Sequence, residues 1–173
     1  MFDGIAIQNM LKNHKADVAV YIDGLAASIA SIIALAGDNI SIADNAYVMI
    51  HNPSSMVLGD AKDMEKEADI LLKISNGLAS DYANKMGITT DDARALMDAE
   101  TWYLGKEAVD AGFADNTYKG ADATATFDAK RFTNKAPGDV IDRFTRQNKD
   151  INKKGLRAMS KAEKKEPAKA KEV

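Results

Sequence analysis

At 173 residues, with 46% hydrophobic and 28% charged side chains, the chain has the size and balance of one globular α/β domain plus a tail. No apolar run approaches the roughly 18 residues of a membrane span, and the opening residues MFDGIAIQNMLKNHK lack the pattern of a secretory leader. Cysteine is absent, which excludes disulfides, thiolate nucleophiles and cysteine–zinc sites and fits a reducing cytoplasm.

The predicted elements alternate. Ile5, Ile7, Met10 and Leu11 give Asp3 to Leu11 the spacing of a short amphipathic helix. Val18-Ala-Val-Tyr-Ile22, bounded by Asp23-Gly24, reads as a buried strand. Small and apolar residues from Ala26 to Ala36 predict a helix buried on nearly every side, stopped at Gly37. Ile40–Ile42 and Ala46–Ile50 are two further strands, separated by the turn-prone Asp44-Asn45. A long helix follows over about 60–86, with Met64, Ala68, Leu71, Ile74 or Ser75, Leu78 and Tyr82 along one face and Gly87 as its stop. Thr89 with Asp92 three residues on has the form of a capping box and opens a helix running through Met97. Lys106 to Ala111 is a short helix, and Gly112-Phe-Ala-Asp115 starts the last strand. Strands joined by helices imply a parallel-type sheet; the residues show no internal repeat.

The net charge of −3 is unevenly placed. From Arg146 onward ten Lys/Arg stand against four Asp/Glu, a net of +6, while the remainder holds 13 basic and 22 acidic residues, a net of −9. Such a change of sign marks the boundary of a folded body. The expectation is a folded domain over 1–120, a C-terminal extension over 121–149 and a basic, disordered tail over 150–173, where KAEKKEPAKAKEV has almost no core-forming residues.

Three segments carry chemistry. In Gly24-Leu-Ala-Ala-Ser28-Ile-Ala-Ser31 a serine stands at a strand-to-helix junction, where N–H groups face a developing oxyanion and small neighbours let a substrate backbone approach. The same position suits an ordinary helix cap, and the spacing is not the G-x-S-x-G elbow. In Met49-Ile-His51-Asn-Pro53 a strand delivers a histidine to its end and proline stops the strand there. The other histidine, His14, sits among Lys12, Asn13 and Lys15 and reads as a solvated helix end. In the third segment Asp98 and Glu100 are candidates to orient the histidine, whereas Asp91, Asp92 and Asp110 read as surface helix charges.

Taken together, Gly24-Leu-Ala-Ala-Ser28-Ile-Ala-Ser31, Val48-Met-Ile-His51-Asn-Pro53 and Glu100-Thr-Trp-Tyr…Glu107-Ala-Val-Asp-Ala-Gly-Phe-Ala-Asp115 resemble, in order and separation, the ClpP-type (caseinolytic) serine peptidases. The resemblance covers about residues 1–116. It implies the ClpP/crotonase-like α/β fold, with repeated β-β-α units and the 60–86 helix as the handle between rings. It also implies Ser28 as nucleophile, His51 as general base, Glu100 at the place of the triad aspartate, and the Ile29 N–H as an oxyanion donor. Acyl transfer of this kind uses no metal and no organic cofactor. Protein substrates and a homo-oligomeric ring are the implied partners, with neither nucleic acid nor membrane.

The Glu-Thr-Trp wording is similar to the phage-associated, head-maturation (prohead) branch, which implies capsid or scaffold proteins as substrates and the host cytoplasm or an assembling head as the location. In the family, a strand ending in a Ser-Pro-Gly-Gly loop precedes the first helix and supplies a second oxyanion donor. The sequence starts after that point, so the expectation is an N-terminally truncated form. The rival expectation is a weak or inactive ClpP-like structural or assembly subunit. An enoyl-CoA hydratase-like relative is a further option, which the Ser–His pair disfavours.

Overall fold

Strand pairing in the computed structural model, which describes residues 1–120, follows a repeated β-β-α order. Helix α1 (Phe2–Lys12) leads into β1 (Ala19–Ile22), β2 (Leu25–Ala27) and α2 (Ile29–Ala34); β3 (Asn39–Ala43), β4 (Tyr47–Ile50) and α3 (Ala61–Met86) repeat the unit. Then come α4 (Thr90–Asp98), β5 (Thr101–Leu104), α5 (Lys106–Asp110) and β6 (Asn116–Tyr118). Equivalent strands of the two units pair in parallel: β1 with β3, Ala19 opposite Asn39, and β2 with β4, Leu25 opposite Tyr47. The outcome is two three-stranded sheets, β1-β3-β6 and β2-β4-β5.

The parallel-type pairing read from the sequence holds for β1–β3, β2–β4 and β3–β6, but the strands are divided between two sheets. Asp44-Asn45 is a corner at which the chain leaves one sheet for the other, and β4 pairs antiparallel with β5. Three element assignments change with it. Leu25-Ala-Ala is a strand, so the helix expected over 26–36 is only Ile29–Ala34. Thr101-Trp-Tyr-Leu, given no element above, is a strand, and β6 starts at Asn116 rather than at Gly112. Within β1 only Ile22 is buried, while Tyr21 stays 65% exposed, so this strand is half-covered rather than a core strand.

The helices follow their end signals. Asp60 accepts from the N–H groups of Lys62 and Asp63 while the Asp63 carboxylate accepts from Asp60 N–H, a reciprocal box that fixes the start of α3. Gly87, at φ 68°, takes the left-handed conformation that ends it. Thr89 Oγ1 accepts from Asp92 N–H and donates to the Asp92 carboxylate, opening α4. In α1 the covered positions are Gly4 and Gln8, flanked by half-buried Ile5 and Leu11, while Ile7 and Met10 are exposed. Gly4 matters because a Cβ there would strike the Ile29 side chain, so the bare backbone lets α1 close on α2.

Ile32, Ile40, Ile42, Val48, Ile50, Met97 and Phe113 fill the core, closed by Leu78, Ala79 and Tyr82 from the C-terminal half of α3. The N-terminal half of α3 reaches beyond that core: Met64, Ile70 and Leu72 are about half exposed. Only the C-terminal part of the expected stripe is buried, at Ser75, Leu78 and Tyr82. No helix among the described residues is long and apolar enough to cross a membrane. The extension expected over 121–149 and the tail over 150–173 lie outside the described residues.

Candidate active site

The sheet β2-β4-β5 brings the candidate residues together by register. Ala27 pairs with Met49, so Ser28 stands level with Ile50 and His51 follows one step on, both at the C-terminal ends of adjacent parallel strands. Ser28 N–H donates to Met49 C=O at 2.9 Å. Ile50 pairs antiparallel with Thr101, which puts Glu100 in line with His51 one step further on. Neighbouring strand ends thus carry a serine, a histidine and a carboxylate.

Ser28 occupies the cap position of α2 without capping it. Its side chain makes no cap hydrogen bond, and Oγ lies 2.8 Å from His51 Nε2. The backbone is at φ 57°, ψ −124°, a region that costs a non-glycine residue about 1–3 kcal/mol. Among the described residues Ser28 and Glu100 (φ 50°) are the non-glycine residues with positive φ. Strain is therefore concentrated at two of the three candidate groups, where surrounding bonds hold it. Ser28 C=O accepts from Ser31 N–H at 2.9 Å and from Ser31 Oγ at 2.6 Å. Ser31 Oγ is also 2.7 Å from Tyr82 Oη, and both side chains are buried.

Burial holds the His51 imidazole below its ordinary pKa, and the charge of Glu100 opposes that shift. Burial thus favours the neutral ring, the form that accepts a proton. Glu100 Oε2 stands 4.0 Å from His51 Nδ1, an ion-pair separation too long for a hydrogen bond. Its other oxygen, Oε1, is buried and has no hydrogen-bond partner among the described residues. Asp98, the other carboxylate considered, is exposed and accepts from Asn52 Nδ2 at 2.6 Å. Asn52 in turn accepts from Ser75 Oγ, so the residue after His51 is pinned between α3 and α4.

Ile29, the first residue of α2, has an N–H with no intrahelical acceptor. His14 is exposed and its Nδ1 accepts from Ala16 N–H. Asp91 and Asp92 lie exposed in the first turn of α4, and Asp110 pairs with Lys106. A cavity of about 210 Å³ beside β1 and α2 is lined by none of Ser28, His51 or Glu100, and the strand-end geometry is the better guide to chemistry here. The partnership of Ser31 with Tyr82 and the clamp on Asn52 escaped the sequence reading. The Ser28–Ser31 interval of one helical turn was the available signal for the first; the second had none.

Residues 1–120 match the family model described as Clp protease. The chain belongs to the Clp protease family. Among curated relatives, it is 30% identical over 120 residues to ATP-dependent Clp protease proteolytic subunit 1 of Leifsonia xyli subsp. xyli, covering 68% of this chain and 61% of that protein. It is 32% identical over 116 residues to ATP-dependent Clp protease proteolytic subunit 1 of Protochlamydia amoebophila, covering 65% and 56%. A Bacteroides fragilis ATP-dependent Clp protease proteolytic subunit is 31% identical over 117 residues, covering 66% and 56%. The chain thus spans between half and two thirds of the length of these relatives.

Proposed function

We propose that this Clp-family chain is a serine endopeptidase subunit acting on protein substrates. The observation that carries the reading is the 2.8 Å approach of Ser28 Oγ to Nε2 of the half-buried His51, whose neutral form burial favours. In this reading His51 Nε2 takes the Ser28 proton as Oγ attacks the peptide carbonyl. The Ile29 N–H faces the oxyanion, and His51 then returns the proton to the leaving amine. Water, deprotonated by His51, hydrolyses the ester and restores Ser28. Glu100 supports the charge that His51 gains, acting through space at 4.0 Å. The site belongs to a peptidase domain over 1–120, followed by an extension over 121–149 and a basic tail over 150–173.

The exposed Met64, Ile70 and Leu72 on α3 support self-association into a ring through that helix. Glu100-Thr-Trp, with Glu in the acidic role, supports placement in the phage head-maturation branch, with capsid or scaffold proteins as substrates in the host cytoplasm. The wide Glu100–His51 separation favours a second reading, a weakly active or inactive assembly subunit. A fluorophosphonate probe separates the two. The peptidase reading expects labelling at Ser28 that Ser28→Ala abolishes, together with hydrolysis of an unstructured protein; no labelling of a folded chain leaves the assembly subunit.

A further inference from the structure

We propose that Tyr82 and Ser31 form a positioning relay through which the long helix α3 holds the Ser28 backbone in its attacking conformation. The inference rests on the peptidase reading above and adds two residues that act through the Ser28 backbone.

Donor counting sets the direction of the relay. Ser28 C=O can only accept, so the 2.6 Å contact takes the single Ser31 hydroxyl hydrogen. Ser31 Oγ must then accept across its 2.7 Å contact with Tyr82, which makes the tyrosine O–H the donor. Burial pushes the Tyr82 hydroxyl well above its ordinary pKa, so it keeps this proton throughout the working range. The chain of bonds therefore runs one way, from α3 through Ser31 to the carbonyl of the nucleophile.

Ser31 bonding back to the carbonyl three residues earlier is a common local habit of serine in helices. Two features take this case beyond habit. The carbonyl belongs to a non-glycine residue at φ 57°, which stays there only if its surroundings over-determine it. The serine hydroxyl is itself oriented by a fully buried group 51 residues away, on a different helix. Ser28 N–H is fixed on the strand side by Met49, and its carbonyl is fixed on the helix side by Ser31. Between those two anchors the Cα–Cβ bond has one direction, toward His51.

The test uses the full 173-residue chain with Tyr82→Phe, Ser31→Ala and the double variant. It measures Ser28 fluorophosphonate labelling, peptide kcat and KM, and thermal midpoint. Each single variant is expected to label about tenfold to a hundredfold more slowly, with kcat reduced and KM unchanged, because misplacement of the nucleophile is the whole effect. Ser31→Ala strands the buried Tyr82 hydroxyl without an acceptor, whereas the double variant removes both groups and should recover part of the midpoint. Labelling of the double should nevertheless remain as slow as the slower single. Wild-type labelling in Tyr82→Phe, or rates that recover with the midpoint in the double, overturns the relay. If the wild-type chain itself fails to label, the peptidase reading fails instead. The relay is then read from the His51 Nε2 resonance by ¹⁵N NMR, where a shift unchanged by Tyr82→Phe overturns it and loss of the Ser28 hydrogen bond supports it.

Discussion

Replacing Glu100 by Gln keeps the side-chain shape and removes one charge 4.0 Å from His51 Nδ1. At that separation two unit charges interact by about 1 kcal/mol in a water-like medium and about 4 kcal/mol at an effective dielectric constant of 20. Both side chains are mostly buried, 23% and 20% exposed, so the true value lies between these limits. The charge acts only once His51 has taken the serine proton, and its loss therefore falls on the transition state. Glu100→Gln should lower kcat/KM by about tenfold to a hundredfold, at about 1.4 kcal/mol per factor of ten. The pH profile supplies an independent sign. Burial holds the His51 pKa down and Glu100 raises it, so removing the carboxylate leaves burial unopposed. Because neutral His51 is the base, activity rises as pH passes upward through its pKa, and this acid limb should move to lower pH in the variant. Initial rates of peptide hydrolysis across the acid range read both effects. An unchanged plateau, or a limb that moves to higher pH, would refute the role given to Glu100.

Other consequences are smaller in scope. Gly4→Ala drives a methyl group into Ile29 and should cost about 1–3 kcal/mol in denaturant unfolding, with slower labelling of Ser28 because Ile29 follows it. Gly87→Ala has open space around the new methyl but keeps φ 68°; it should cost about 1 kcal/mol and leave labelling unchanged. Burial alone would raise the Asp115 carboxyl, but its bonds to Lys85 and the Ile40 N–H outweigh this and hold it below the ordinary carboxylate range. Its stabilisation is thus full above the unfolded value and fades as pH falls through the native one. Asp115→Asn should lose on the order of 1 kcal/mol at neutral pH and converge with the parent in acid, measured by thermal unfolding.

Much of this arrangement was legible in the residues, unevenly and for physical reasons. The ends of α3 and α4 were readable because Asp60, Gly87 and the Thr89–Asp92 pair act locally, through bonds within a few residues. Ser28 and His51 could be nominated because each stands where one element type changes to another. Leu25-Ala-Ala was misassigned because three small residues carry no period, and only pairing with β4 makes them a strand. Thr101-Trp-Tyr-Leu does have β-forming residues, but its antiparallel partner is about 50 residues earlier and local pattern does not name it. Which of Asp98 and Glu100 stands nearer His51 depends on that same pairing. Register places Glu100 beside His51, while Asp98, the last residue of α4, meets Asn52. The Met64 to Tyr82 stripe followed helical period faithfully; how far along it the core extends is a tertiary property.

Because the three candidate groups sit at the ends of paired strands, chain length around them is constrained more tightly than residue choice. Strand side chains alternate faces, so one residue inserted between Tyr47 and His51 would turn the imidazole to the opposite side of the sheet. The same holds for Leu25 to Ser28, and for Glu100 to Leu104 read from the other direction. By contrast, the exposed stretch from Ser54 to Gly59 belongs to no strand or helix and should absorb insertions readily. Deletions and insertions, more than substitutions, would then separate working from idle versions of this site, with a tolerant gap opening only three residues after the histidine.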